Sequence, residues 1–376
     1  MDAPVNIESL DQEGRGIARI DGKAVFVEGA LPGERVTIEI LKRRPSYEIA
    51  RAVTVVDANA SRVTPRCPHF GVCGGCTLQH ADAALQVAAK QRVLEEALTR
   101  IGRVHAEQLL PPVHGPAWHY RWRARLSVRN VVKKGSVLVG FHVRKSSFVA
   151  DMRECHVVPP KISSLLVPLR ELIGALSLRD RLPQIEVAVG ERDGAIVHVL
   201  VMRILDAPTA GDETMLRAFA DDHGVEVWLQ TGGPQTIVPF HPRVSSLTYT
   251  IPEFAITMPF GPAEFTQVNP YINRILVRRA MALLQPAPGE RIADFFCGLG
   301  NFTLPMARAG AAAVGIEGSA AMVTRAKENA AHNGLASMTR FEVANLFAAT
   351  PCASRSPTSS RRPPPAWRRW ARSTRR

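Results

Sequence analysis

Near the N-terminus, apolar and polar positions alternate in short runs. Val36-Thr37-Ile38-Glu39-Ile40 has the period of two that a half-buried strand requires. Ile20-Asp21-Gly22-Lys23 sets Asp-Gly between apolar-rich runs, a hairpin signal. Further turns are expected at Gly14–Gly16 and at Leu31-Pro32-Gly33-Glu34. Residues 1–60 therefore predict a small OB-like antiparallel β-barrel. The period then lengthens. Leu85, Ala89, Val93, Leu94, Ala97, Leu98 and Ile101 share one helical face, expected to pack on core, and Gly102 stops the helix. Residues 61–255 read as an α+β domain. Helices are expected over 162–176 and 213–222, and strands over 185–189, 196–202 and 225–229. Pro270 opens a helix over 271–284. Over 256–348 the pattern becomes strand (291–294), glycine turn, helix opening at Asn301, strand (312–317), helix (319–333). That is the start of a Rossmann-like parallel sheet. The whole reads as a multidomain α/β chain.

At 376 residues there is room for two or three domains. No apolar run approaches the roughly 18 residues of a membrane span, and the first residues lack a signal-peptide core. A cytoplasmic protein with no membrane partner is expected. The formal charge of +13 suggests a polyanionic partner. Much of it sits in a Pro-, Ser- and Arg-rich tail, residues 349–376, which cannot build a core. Without that tail the charge falls to about +5. Local patches must make the case for nucleic acid. Two stand out: Lys42, Arg43 and Arg44 with Tyr47, and Arg121, Arg123 and Arg125 among Trp118, Tyr120 and Trp122. A strand would put the latter three arginines on one face, with Phe141, Arg144 and Lys145 just beyond.

Two constellations carry chemistry. The first is Asp294-Phe295-Phe296-Cys297-Gly298-Leu299-Gly300-Asn301, a strand-to-helix glycine turn, with Glu317 ending the next strand. Such a turn presents backbone N–H groups to a nucleotide, and the carboxylate can accept both hydroxyls of a ribose. A dinucleotide fingerprint would carry a third glycine where Thr303 stands, so S-adenosylmethionine is favoured over a nicotinamide. Gln267 lies just ahead of this unit. The second is Cys67, Cys73 and Cys76, with Cys155 as the remaining cysteine before the nucleotide unit. Thiolates so spaced suit zinc or an iron–sulfur cluster, and the spacing alone leaves both open.

Asp294 through Pro305, Phe265-Thr266-Gln267-Val268-Asn269, Glu342 through Leu346 and the four cysteines closely resemble the RNA uridine C5-methyltransferases. The resemblance runs from residue 5 to about 348, in the family's order. It implies that the barrel is a TRAM domain and that Cys67, Cys73, Cys76 and Cys155 hold a [4Fe–4S] cluster. It further implies that Gln267, Phe296, Asn301, Glu317 and Asn345 contact S-adenosylmethionine. The implied substrate is a uridine of 23S ribosomal RNA, and the implied state a monomer. In the family a cysteine in a Ser-Cys-Asn-Pro context adds to C6 of the uracil, and a late glutamate removes the C5 proton. Neither occurs here. No catalytic residue is assigned, because Cys297 belongs to the cofactor turn and Cys352 to the tail. The tail resembles a shifted reading frame. The expectation is an incomplete methyltransferase domain, with an unpaired sheet edge and no turnover. The alternatives are an RNA-binding iron–sulfur protein without catalysis and a nicotinamide-dependent oxidoreductase.

Overall fold

A computed structural model describes residues 3–243 and 247–348. The expected tail, and Cys352 in it, lie outside the described residues.

Six strands form the N-terminal sheet, in the spatial order Val5–Asn6, Arg35–Arg43, Tyr47–Asp57, Lys23–Glu28, Gly16–Ile20, Ser9–Leu10. Ile7 N–H donates to Glu34 O (2.9 Å) and Glu8 N–H to Ile17 O (2.7 Å), so the first segment bridges both ends and closes the barrel. The Asp-Gly signal holds: Asp21 and Gly22 both have positive φ, 49° and 82°, as a two-residue hairpin needs. The barrel is not antiparallel throughout, because Lys23–Glu28 runs parallel to Tyr47–Asp57. Ala18, Val25, Val27, Val36 and Ala50 fill its core. A fully buried carboxylate, Glu34, fastens the barrel to the segment at 59–62. It accepts from Arg62 Nε (2.5 Å) and Nη2 (2.7 Å), and from the backbone of Leu31 and Asn59. Burial raises its pKa, but these hydrogen bonds outweigh that and hold it below the usual value.

The helix expected over 83–101 is α-helical over Ala83–Glu96 and ends in a π-turn, Ala97–Ile101. Its apolar face is not core. None of its residues is buried, Leu94 and Ile101 are exposed, and only Leu85 and Ala89 touch a small cluster around Leu10, Leu31 and Ala81.

The central sheet has eight strands. Six run in the order Ile237–His241, Glu226–Gln230, Ala195–Arg203, Gln184–Arg192, Leu247–Ile251, Ile256–Phe260. Arg123–Val131 also pairs with Gln184–Arg192 and carries Ser136–Gly140. Since Ile256–Phe260 belongs here, the expected boundary at 255 falls inside a hairpin. Helices Leu166–Ala175 and Ala210–His223 cover one face and enclose the largest core.

The last unit is a parallel sheet of three strands among the described residues, in the order Arg291–Phe295, Ala312–Glu317, Thr339–Val343. Helix Pro270–Leu284 has Pro270 in its first turn, as the sequence suggests, and starts at an Asn269 cap; helix Ala320–His332 starts at a Ser319 cap. The helix expected at Asn301 begins at Thr303 and ends at Arg308. Strand Arg291–Phe295 has one partner strand among the described residues and alternates between exposed and half-buried positions. No described helix is long and apolar enough to cross a membrane.

Helix Ala210–His223 opens with a capping box in which Asp212 is almost wholly buried. Burial raises the Asp212 pKa, but hydrogen bonds from Ser177 and Thr209 outweigh it and pull it down to about 2. A depressed carboxylate pKa stabilises the fold above its unfolded value and loses that contribution as pH falls toward 2. Asp212→Asn is therefore expected to cost about 2 kcal/mol at neutral pH. In urea denaturation the gap from wild type should close below about pH 3; a gap independent of pH would contradict the assignment.

Candidate cofactor cavity and cysteine site

The glycine turn is folded by steric demand. Phe296, Gly298 and Gly300 have positive φ (60°, 56° and 94°), and for an aromatic residue this is a strained setting. Gly315 on the neighbouring strand is obligatory, since a Cβ there would lie 2.6 Å from the Phe341 ring and 2.8 Å from Cys297 Sγ. The turn lines a cavity with Gln267, Phe265, Tyr249, Phe296, Asn301 and Phe302 around it. Three of the five expected cofactor residues, Gln267, Phe296 and Asn301, thus meet at one place. Glu317 is adjacent: Oε2 accepts Gly298 N–H (3.2 Å) and Oε1 accepts Ser319 N–H (3.1 Å). Each oxygen keeps lone-pair capacity for a hydroxyl. Asn345 follows the third strand, next to Ala344, whose N–H donates to Glu317 O. It does not line the cavity; its Oδ1 accepts Phe347 N–H (3.1 Å).

Asn301 has a second occupation. Its Oδ1 accepts from Tyr249 Oη (3.0 Å) and from Asn273 Nδ2 (2.9 Å), and its Nδ2 donates to Asn273 Oδ1 (2.9 Å). One amide hydrogen remains for a ligand. The sequence reading missed Asn273 and Tyr249. A signal existed: Asn273 shares the buried stripe of its helix with Val277 and Met281, at four-residue spacing.

Cys297 is 4% exposed. Burial, then the charges of Asp294 and Glu317, push its thiol up to about 12. Such a thiol is protonated at neutral pH. Asp294 accepts Thr303 Oγ1 (2.6 Å), and burial raises its pKa.

Cys67, Cys73, Cys76 and Cys155 line one small cavity with Phe70, Phe141, Met152 and Val157. The two segments, 79 residues apart at Cys73 and Met152, are in contact there, Sγ to Sδ 3.7 Å. Burial raises the pKa of Cys67 and Cys155, and that of Cys73 to about 11. As the side chains stand, no group of three such donors among the described residues could hold a metal ion.

The expected arginine face is not one surface. The strand begins at Arg123, which is turned inward to the Glu264 carbonyl. Arg125 pairs with Glu186 at 2.7 Å. Arg43 pairs with Glu48 (3.1 Å), and Tyr47 rests edge-on against Phe26.

A parallel sheet whose glycine turn lines a cavity, with a strand-end acid bonded to that turn, is the layout of a nucleotide-binding α/β domain, here preceded by a β-barrel and an α+β domain. Residues 3–53 match the TRAM domain, and residues 82–349 match the tRNA (uracil-5-)-methyltransferase family model. The chain belongs to the RNA uracil-C5-methyltransferase family. A 23S rRNA (uracil(1939)-C(5))-methyltransferase RlmD of Nitrosospira multiformis is 62% identical over 92% of this chain and 78% of its own length. An RlmD of Azoarcus sp. is 60% identical over 92% of this chain and 79% of its own. The crystal structure of Pyrococcus abyssi tRNA (uracil-54, C5)-methyltransferase in complex with S-adenosyl-L-homocysteine has the same fold. It superposes with a TM-score of 0.65 at 20% identity, covering 91% of this chain and 79% of that one.

The amide pair yields a test. Asn273→Leu leaves the Asn301 carboxamide, half-buried at the cavity wall, short of two partners. It should lower unfolding stability by about 1–3 kcal/mol, read by chemical denaturation. A loss below about 0.5 kcal/mol, the usual size of a neutral surface change, would show that the pair does not hold the turn.

Proposed function

We propose that this chain binds S-adenosylmethionine at the glycine-turn cavity and presents it to a uridine of 23S ribosomal RNA for methylation at C5. The observation that carries this is the meeting of Gln267, Phe296 and Asn301 at one cavity, with Glu317 beside it. The relatives named for that reaction, about 60% identical over nine-tenths of the chain, supply the substrate. In this reading Glu317 accepts the ribose hydroxyls, and Gln267, Phe296, Asn301 and Asn345 hold the rest of the cofactor. When bound, S-adenosylmethionine supplies an electrophilic methyl on a sulfonium. The barrel over 1–60 and the central domain hold the RNA, and residues 256–348 hold the cofactor. Such a protein acts on ribosomal RNA in the cytoplasm and works as a monomer.

Carbon 5 of uracil is a poor nucleophile, so the reaction needs a thiolate to add at C6 and a base to take the C5 proton. Cys297 cannot be that thiolate, because a thiol pushed up to about 12 is protonated at neutral pH. The Ser-Cys-Asn-Pro context of the family's nucleophile does not occur in the sequence. We infer that the 376-residue chain, taken by itself, holds cofactor and RNA without turning over. Calorimetry should find S-adenosylhomocysteine bound and NAD unbound, while labelled methyl from S-adenosylmethionine fails to enter 23S RNA. Turnover at the rate of a competent relative would overturn the second half; bound nicotinamide would overturn the first.

The four-cysteine cavity supports a [4Fe–4S] cluster held by Cys67, Cys73, Cys76 and Cys155. Four sulfurs lining one small cavity, with His69 and His156 beside Phe70 and Phe141, are the donor types of a thiolate-ligated cluster, although the side chains as they stand bring no three such donors around one ion. It would supply a cross-link between the 67–76 loop and the segment at 155. Anaerobically purified protein should carry iron and acid-labile sulfide with a broad visible absorbance. Cys155→Ser should lose both, whereas zinc without sulfide in the wild type would decide for zinc.

A further inference from the structure

Among the cations that stand with aromatic residues between Trp118 and Lys145, most are already engaged. Arg123 is turned to Glu264 and Arg125 to Glu186, and Lys145 Nζ meets Glu28 Oε1 of the barrel at 2.5 Å. Arg121 and Arg144 meet no carboxylate among the described residues. They share a wide solvent-facing groove where the Gln12–Glu13 turn of the barrel, the cysteine loop and the 141–147 loop come together. Arg121 Nε is buried without an acceptor, and its guanidinium lies 5.6 Å from the centroid of the Phe141 ring. Arg121 as a whole is half-buried and lines the groove, so its charge, which no carboxylate neutralises, is open to an incoming anion.

The groove is built rather than incidental. Gly74 N–H donates to His142 O (2.8 Å), and Arg144 N–H donates to Val72 O (2.9 Å). Cys73 and Val143 form a bridge between the same two segments. The approach depends on glycine, because a Cβ on Gly74 would lie 3.1 Å from the His142 carbonyl oxygen. The cysteine loop is therefore one wall of the groove and fixes the loop that bears Arg144. Phe148, 76% exposed, stands on that same loop.

We propose that this groove is a docking track for single-stranded RNA, with Arg121 and Arg144 on its phosphates and the exposed Phe148 beside it as a platform for an unstacked base. Free cations beside aromatic rings suit a single strand, whereas a duplex offers its phosphates but keeps its base faces stacked. The inference rests on the proposed RNA-binding function and adds where the strand runs. It also gives the cysteine loop a purpose: it shapes an RNA surface far from the cofactor turn in sequence.

The test is fluorescence anisotropy with the full chain and a labelled uridine-containing RNA of about a dozen nucleotides, single-stranded or annealed to its complement. Wild type should prefer the single strand. Arg144→Glu should weaken binding by about tenfold and flatten the salt dependence by roughly one phosphate contact. Arg121→Gln should act in the same direction. Ser147→Glu, which adds a negative charge at an exposed groove position and removes no contact, guards against a folding artefact. Affinity for S-adenosylhomocysteine should stay unchanged in all three, and Arg179→Glu, on another loop, should leave RNA binding as it was. If wild type binds RNA and the groove variants bind it equally well, the track is wrong and the functional reading survives. If wild type binds no RNA, the functional reading itself falls. Equal displacement of the RNA by an acidic peptide would assign the groove to protein instead.

Discussion

The reciprocal amide pair of Asn273 and Asn301, closed by the Tyr249 hydroxyl, is what the cavity at the glycine turn depends on. It joins a hairpin of the central sheet, a helix and the glycine turn, three stretches far apart in sequence. The turn cannot hold its own shape. It has an aromatic residue and two glycines at positive φ, a conformation that persists only when its surroundings over-determine it. Further bonds share the task. Asn329, fully buried, donates to Leu299 O (3.1 Å); Thr303 donates to Asp294 (2.6 Å); Cys297 N–H donates to Ile316 O (3.1 Å). The turn that lines the cavity is thus pre-formed by polar groups with few remaining valences.

The same device joins the domains. Glu34 and Arg62 fasten the barrel to the cysteine-bearing segment. Glu264 receives Arg325 Nε on both oxygens at 3.0 Å, while its carbonyl receives Arg123. One residue between the central sheet and the parallel sheet therefore grips both. A buried or half-buried ion pair adds little net stability, since desolvation offsets much of the attraction. Its contribution here is orientation: removing one partner strands the other, so the relative placement of barrel, central sheet and glycine turn is specified.

Local signals were legible wherever the chain decides its own geometry. The Asp21-Gly22 hairpin, the helix that follows Ser319 and the strand ending at Glu317 arise from neighbouring residues alone. What failed was whatever a distant partner decides. The apolar face of Ala83–Glu96 has the helical period but little to press against, so periodicity promised a core that tertiary structure withheld. The arginine stripe looked continuous because Glu186 and Glu264 are far away in sequence. The parallel pairing inside the barrel is likewise invisible from within either strand. In the site itself, the glycine turn and Glu317 were readable because their spacing is fixed by one β–α unit. Asn273 showed only as one position of a buried helical stripe and Tyr249 not at all, because their roles exist only across the domain junction.

Cys297 shows how a reactive residue type can sit at the centre of a site and take no part in its chemistry. Its sulfur occupies the space that Gly315 leaves open against Phe341. Burial removes the solvation a thiolate needs, and two carboxylates face it from Asp294 and Glu317. Both effects favour the neutral thiol, which behaves as a small apolar filler. That suits its position. A thiolate in the turn would repel the carboxylate that organises Gly298 and would compete for the electrophilic methyl of the bound cofactor. A cofactor-binding turn and a uracil-attacking thiolate have opposite electrostatic requirements. The nucleophile that this chemistry demands therefore has to approach the base from a segment outside the turn.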